Sequence, residues 1–367
     1  MSRKILEQLR DATAFKPKPP DYELAIAHVP TGDVGIPQSI DERVLNAITT
    51  DDEAFVIIVG PPGSGKSSVL TAAARNAASP EEPPHPLPLT VPVAHHDGNL
   101  TAELLVKAIA QGLATEPRGS LQPDEIQRLE EALATTITTS HQPTSVSGSI
   151  TAGLPFLNAT VGAGLGKDLV TLTTNAEWQG GGPGPSLLAL RDLASAHGAR
   201  LVVIFHDTDV WSVADRDMAA RARSFFSALR VLLDCPEITF LVAVQTHWTE
   251  TGANAAGHTA AARQEYQELA ARVGAVLKIP RPRSQPQALD LMTAIINRRV
   301  QITLDDDPPG GGWTTALFTP AALELLAHRC RNRNIRQAIA DIRDAFDHLT
   351  DMPDRIDREH LLDVIDS

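Results

Sequence analysis

The sequence is poor in cysteine, aromatic residues and long apolar runs. Its two cysteines, Cys235 and Cys330, have no spacing that suggests a metal site, and they are too few for a disulfide framework. Phenylalanine, tryptophan and tyrosine together make up 4% of the chain, so any core must be mainly aliphatic. No apolar run reaches the roughly 18 residues that a membrane helix needs. Residues 1–8 lack the apolar centre of a signal peptide. The expectation is a soluble, cytoplasmic protein with no membrane partner. Positive charge is also scarce: 45 acidic residues face 32 basic ones, for a net charge of -13. That excludes wholesale electrostatic binding to nucleic acid but leaves room for a local basic site.

What is present is enough for a substantial core. The chain has 367 residues, 43% of them hydrophobic, a length that suggests two to three domains or a large core with a small companion. Short buried strands are expected over residues 54–59, 87–94, 200–205, 238–244 and 275–279. Helices are expected over 39–50, 66–78, 100–114, 122–135, 186–197, 214–233 and 260–272. Strands alternating with helices imply a parallel sheet with helices on both faces. Beyond residue 285 only helices are expected, broken by an acidic Gly/Pro loop at 305–312, so the tail reads as a separate small domain. Between 142 and 166 no residue is charged. The stretch 145–174, rich in Gly, Ser and Thr, reads as an inserted β-hairpin or two.

One motif carries chemistry. Gly60, Pro61, Pro62, Gly63, Ser64, Gly65, Lys66 and Ser67 fit G-x-x-x-x-G-K-[ST] without deviation, and Ser68 follows in the first turn of the next helix. At average residue usage the bare pattern arises by chance in about one chain of this length in a hundred. Here the expected strand precedes it and the expected helix follows. Glycines let the backbone curl until several N–H groups face one phosphate, and the helix adds its positive end. Lys66 can reach the β- and γ-phosphates of a nucleotide, and the Ser67 hydroxyl can bind Mg²⁺. ATP and Mg²⁺ are therefore the expected ligands.

A second element is the apolar run from Leu201 to Phe205, followed by His206, Asp207, Thr208 and Asp209. A carboxylate at the carboxyl end of such a strand faces the ligand in an open parallel sheet. Two assignments stand open. Either His206 takes the metal-side place and Asp207 the second, or Asp207 is the metal-side acid and Asp209 orients water. In the first case Mg²⁺ affinity or hydrolysis would be weak.

With these residues the chain resembles AAA+ ATPases over roughly residues 35–367. The likeness is stronger to the initiator-type branch of origin-recognition and transposition ATPases, with some likeness to bacterial KAP- and STAND-type P-loop ATPases. The residues from Asn332 to Ala338 (Asn-Arg-Asn-Ile-Arg-Gln-Ala) are similar to that family's sensor-2 motif. The resemblance implies that Arg336, on a lid helix, touches the γ-phosphate. The bland alternative is that Arg329, Arg331, Arg333 and Arg336 form a solvated basic face. The resemblance also implies a sensor-1 polar group at the end of the fourth strand, Gln245 or Thr246, and an arginine finger supplied between subunits, Arg272 first and Arg263 second. An adenine pocket near residues 34–40 is implied by analogy.

The fold so implied is α/β: a three-layer P-loop sheet of the additional-strand kind with a C-terminal helical lid. Its parts would be an N-terminal segment (1–34), an ATPase core (35–281, with an insertion at about 142–185) and the lid (285–367). The implied activity is Mg²⁺-dependent ATP hydrolysis driving conformational change and assembly of a homo-oligomer. Two outputs stay open, action on DNA or a DNA-bound complex and control of a protein effector, beside a scaffold that binds ATP without turnover. The chain departs from the initiators in two ways: too few residues follow Arg336 for a winged-helix domain, and the 145–174 insertion is no part of the minimal core. His95, His96 and Asp97 read as structural, because neighbouring side chains on a strand point opposite ways. Trp211 and Trp248 read as packing residues.

Overall fold

The computed structural model describes residues 2–12, 14–16, 27–34, 40–49, 55–77, 85–93, 100–115, 184–196, 198–206, 208, 211, 215–233, 235, 237–249, 258–306, 309–310, 312–332, 334–349 and 351–365. The helix expected over 122–135 and the hairpins expected over 145–174 lie outside these residues.

Five short apolar runs form one parallel sheet: β1 (Phe55–Gly60), β2 (His85–Pro92), β3 (Ala199–His206), β4 (Thr239–Gln245) and β5 (Ala275–Lys278). The order across the sheet is β2-β3-β4-β1-β5. β2 runs parallel to β3 from the His85–Ala199 pair to Pro92–His206, and β3 parallel to β4 from Val202–Thr239 to Phe205–Val242. β4 is therefore the additional strand between the strand before the phosphate loop and the acid-ended strand. Every residue of β1 and of β4 is buried, which explains why both read as continuous apolar runs rather than alternating ones.

The chain divides into two compact units. One joins Met1–Asn46, Ile58–Asn76 and Leu277–Ser367; the other joins Ala47–Ile57 and Ala77–Val276.

In the second unit, helices α4 (Ala102–Thr115), α5 (Gly184–Ala196), α6 (Arg216–Leu232), α7 (Thr246–Thr249) and α8 (His258–Ala270) accompany β2, β3 and β4. Asp215 caps α6 by accepting from the N–H groups of Asp217 and Met218 at 2.8 and 3.1 Å. The few aromatic residues are concentrated here. Phe205 and Phe225 meet edge to face at 5.7 Å, and Trp211 and Phe225 at 5.2 Å. Arg230 of α6 pairs with Glu265 and Glu268 of α8.

The first unit carries α1 (Ser2–Asp11), a 3-10 turn (Thr31–Val34), most of α2 (Ile40–Thr49), α3 (Lys66–Ala77) and the C-terminal helices. The latter are α9 (Gln285–Leu304), α10 (Gly312–Leu317), α11 (Pro320–Asn332), α12 (Ile335–His348) and α13 (Arg358–Ile365). Ser284 caps α9 through its bond from Gln287 N, with proline in the first turn, and Asp305 ends it in the left-handed conformation at φ 50°. Asp305 and Asp306 are exposed, as expected of a solvated loop. The helical tail contains one parallel bridge, Phe318 with Ile356, made by two backbone bonds of 2.9 and 2.8 Å.

The core of this unit also contains residues from the start of the chain. Leu6, Leu9 and Phe15 are buried with Leu291, Ile296, Leu326, Ile342 and Phe346. Phe15 meets Phe346 edge to face at 5.5 Å. Arg343 donates to the Arg10 carbonyl at 3.0 Å, and Arg299 to the carbonyls of Ala14 and Lys16 at 3.3 and 2.9 Å. The start of the chain is thus built into the core of the C-terminal helices, a packing that the sequence reading did not include.

Candidate nucleotide site

The phosphate loop leaves the buried end of β1 and enters α3. Gly63 and Gly65 adopt φ values of +70° and +92°, a region that only glycine occupies at little cost. The base of the loop is tight: a Cβ on Gly60 would fall 2.6 Å from the Ser64 hydroxyl oxygen and 3.2 Å from Ile279. Ile279 in turn donates its N–H to the Val59 carbonyl at 2.8 Å. A Cβ on Gly65, by contrast, would meet nothing within 4 Å. The loop therefore has a packed back and an open front.

Lys66 is the first residue of α3 and is buried, at 4% exposure. Its ammonium donates to the carbonyls of Gly60 and Pro61 at 3.0 and 2.9 Å. The Ser64 hydroxyl is buried without a hydrogen-bond partner, which marks a place for an additional polar group. Ser67 and Ser68 are half-buried, and the Ser67 carbonyl accepts from the Thr71 hydroxyl at 2.8 Å.

The start of α12 meets this loop. Arg336 donates its backbone N–H to the Gly63 carbonyl at 3.2 Å. Asn334 caps the helix, taking the Gln337 N–H at 2.6 Å. A Cβ on Gly63 would lie 2.6 Å from Asn334 Oδ1 and 2.7 Å from Arg336 Cβ, so glycine is required there by contact as well as by φ. The four arginines grouped in the sequence separate in space. Arg329 is buried and pairs with Asp341 at 2.8 Å, Arg331 is exposed, Arg336 is half-buried, and Arg333 lies outside the described residues. A single solvated basic face does not describe them.

Beside the loop, in the same unit, is a cleft with about 910 Å³ of empty space, its solvent opening included. Its walls are Ala27–Val29, Val69 of α3, Leu291 and Ile295 of α9, and Ile335 and Ile339 of α12. The exposed lining is mainly apolar, with Arg281, Arg299 and Arg331 beside these side chains. Residues 27–29 form its N-terminal wall. Val34 does not line the cleft, and residues 35–39 lie outside the described set. His28, in this wall, bonds through Nε2 to the Asp41 carboxylate. Cys330 also lines the cleft, and burial pushes its thiol up to about 12.

The remaining candidates belong to the second unit. Asp207 and Asp209 lie outside the described residues. Thr208, between them, is buried and donates its hydroxyl to the Ala243 carbonyl of β4, tying the turn after β3 to the neighbouring strand. Gln245, at 5% exposure, closes β4, and Thr246 opens α7, half-buried, its carbonyl taking the Thr249 hydroxyl at 2.7 Å. Arg272 is exposed in the turn after α8. Arg263 instead donates Nε to the His247 carbonyl at 3.0 Å within its own chain. Trp211 and Trp248 are core residues, each 1% exposed. His95, His96 and Asp97 fall outside the described residues, and among those described no group of His, Cys, Asp or Glu could hold a metal ion. No described helix is long and apolar enough to cross a membrane.

Sequence reasoning did not assign a role to Asn334 or His28. Asn334 carries a visible signal, an N-cap residue type just before an apolar-periodic run. His28 carries none.

No protein-family model matches the chain, and no curated protein does. Solved structures do. The Aeropyrum pernix ORC1 protein in complex with DNA is similar at 14% identity and a TM-score of 0.45, over 89% of this chain and 63% of that one. The Aeropyrum pernix ORC2 protein with ADPNP and ADP is similar at 13% identity and a TM-score of 0.49, over 93% and 70%. Drosophila ORC bound to DNA is similar at 12% identity and a TM-score of 0.42, over 92% and 61%. The chain thus spans less than two thirds of the length of the first of these. Likeness at these levels assigns neither a site nor an activity.

Proposed function

We propose that this protein binds ATP and hydrolyses it to ADP and phosphate, as an ATPase of the AAA+ type with an initiator-like lid. The observation that carries the reading is the loop itself. Lys66 is buried in a curl whose front is open at Gly65, and the Ser64 hydroxyl in the loop's packed back lacks a partner. A mainly apolar cleft adjoins it.

In this reading the N–H groups from Gly65 to Ser68 cradle the β-phosphate, and Lys66 exchanges its bonds to the Gly60 and Pro61 carbonyls for bonds to phosphate oxygens. The Ser67 hydroxyl is a suitable neutral ligand for Mg²⁺, and Asp207 the carboxylate that supports it. Bound there, the ion would neutralise charge between the β- and γ-phosphates. Asp207 or Asp209 orients the attacking water, with Gln245 or Thr246 as the polar group beside the γ-phosphate. Arg336 reports that phosphate, and Arg272 acts on the site of a neighbouring subunit in a homo-oligomer. Residues 35–281 serve as the ATPase core and 285–367 as its lid.

The output we favour is action on DNA or a DNA-bound complex, as the sensor-2-like motif suggests. The net charge of -13 favours instead a nucleotide-dependent switch that controls a protein effector. ATP hydrolysis measured with Mg²⁺, with and without double-stranded DNA and beside Lys66→Ala, tests both. Loss of turnover or nucleotide binding in Lys66→Ala is expected, and retained activity would sink the site assignment. Stimulation by DNA supports the first output, and indifference to DNA the second. Tight ATP binding without turnover would mean that His206 occupies the metal-side place.

A further inference from the structure

A helix leaves its first few N–H groups without partners inside the helix. At the start of α12 two of them are taken by identifiable groups. The Gln337 N–H goes to Asn334 Oδ1 at 2.6 Å, and the Arg336 N–H goes to the Gly63 carbonyl at 3.2 Å. The phosphate loop therefore supplies part of the cap of the lid helix.

The bond also acts on the loop. A trans peptide is planar, so the Gly63 carbonyl and the Ser64 N–H point in opposite directions. With the carbonyl turned to α12, the Ser64 N–H closes the loop's own turn on the Pro61 carbonyl at 3.3 Å. Asn334 is the piece that sets the spacing. Its side-chain oxygen occupies the place where a Cβ on Gly63 would be, 2.6 Å away, while the same oxygen caps the helix.

We propose that Asn334 is a positioning residue of the nucleotide site: by capping α12 and seating against Gly63, it holds the Gly63–Ser64 peptide in the loop's own turn and so fixes the curl that presents the N–H groups from Gly65 to Ser68 to a phosphate. The inference rests on the reading of this loop as an ATP site. Asn334 touches no substrate in this scheme and acts through the peptide. Because the loop holds the β-phosphate, loss of the device weakens ATP and ADP alike. Loss of the Arg336 side chain, which leaves the backbone bond in place, weakens ATP alone.

The test uses equilibrium binding of fluorescent ATP and ADP analogues to the full chain, with thermal melting of each variant. Asn334→Ser and Asn334→Gly both retain good N-cap residue types but take the Asn oxygen away from Gly63. The expected result is melting close to that of the unaltered protein, with about ten-fold weaker binding of both nucleotides, the size of one lost hydrogen bond. Arg336→Ala should lose affinity for ATP only. Unaltered affinity in the folded Ser and Gly variants would overturn the proposal, leaving Asn334 as a helix cap and nothing more. So would a loss in those variants confined to ATP. Should the unaltered protein bind neither nucleotide, or Lys66→Ala bind both normally, the underlying ATP reading fails instead.

Discussion

Replacing Asp341 with alanine should destabilise the C-terminal helices severely. Arg329 on α11 and Asp341 on α12 form a buried pair, with side chains 9% and 4% exposed. The guanidinium makes two bonds to the carboxylate, at 2.8 and 3.3 Å, and Gln337 adds a third at 3.1 Å. Removing the carboxylate leaves a buried cation facing apolar neighbours, at a cost of about 3–5 kcal/mol. A unit of this size loses roughly 2–4 °C of melting temperature per kcal/mol, so a fall of about 6–20 °C is expected. The decisive comparison is the double replacement Arg329→Met with Asp341→Leu. Without either charge there is no stranded cation, and the double variant should melt well above Asp341→Ala, near the unaltered protein. Differential scanning fluorimetry on the three proteins, without nucleotide, measures this. A loss below about 1 kcal/mol in Asp341→Ala, or a double variant as unstable as the single one, would refute the argument that the buried charge dominates.

Gly63→Ala and Gly65→Ala should both weaken nucleotide binding but differ in stability. At Gly63 the added Cβ strains the backbone and displaces Asn334, for about 2–3 kcal/mol together; at Gly65 only strain of about 1–2 kcal/mol applies, but the methyl group fills the open front of the loop. Melting should therefore fall further in Gly63→Ala, while calorimetric titration should find ATP binding at least about ten-fold weaker in Gly65→Ala. Phe15→Ala should cost about 3–5 kcal/mol in urea unfolding, although the residue is far from the lid in sequence, because Phe15 fills the lid core against Phe346. Burial raises the thiols of Cys235 and Cys330 to about 11 and about 12, so at pH 8 no more than about one thiol in a thousand is ionised. Neither should react with an aromatic disulfide reagent in the native protein, and both should react in urea.

Much of the fold was legible because its signals are local. The apolar runs before the phosphate loop and before Gln245 are buried along their whole length, so composition alone marked them as strands. The order of the sheet was constrained only to the point of leaving β2 or β4 as the additional strand, because strand order depends on contacts remote in sequence; the structure selects β4. The N-terminal helix was missed for a similar reason. Ile5, Leu6 and Leu9 do make an apolar stripe at helical spacing, but ten residues cannot reveal that their partner is a core formed some 300 residues later. The arginine cluster shows the same limit in chemistry. Nothing around Arg329 in sequence distinguishes it from Arg331, yet an aspartate on the next helix makes one a buried structural cation and leaves the other exposed. The phosphate loop needed no such remote information, since its glycines, lysine and serine act through their own backbone. Its contact with Asn334 did need it, and neither end of that contact has a sequence feature pointing to the other.

Two helices begin near the candidate site, α3 and α12, and both present the positive end of a helix dipole. They are not equivalent as anion sites. α3 follows Gly65, which has no side chain to cap it, and its open front has room where a phosphate would sit. At α12 the Arg336 and Gln337 N–H groups are already engaged by the Gly63 carbonyl and the Asn334 side chain. An anion arriving there would have to displace both, and would gain little beyond what it broke. In the ATP reading proposed above, the phosphate is therefore assigned to α3. What α12 can offer a nucleotide is the Arg336 side chain and the apolar faces of Ile335 and Ile339, which form one wall of the cleft. One short segment thus holds the loop through its backbone while Ile335 and Ile339 line the cleft.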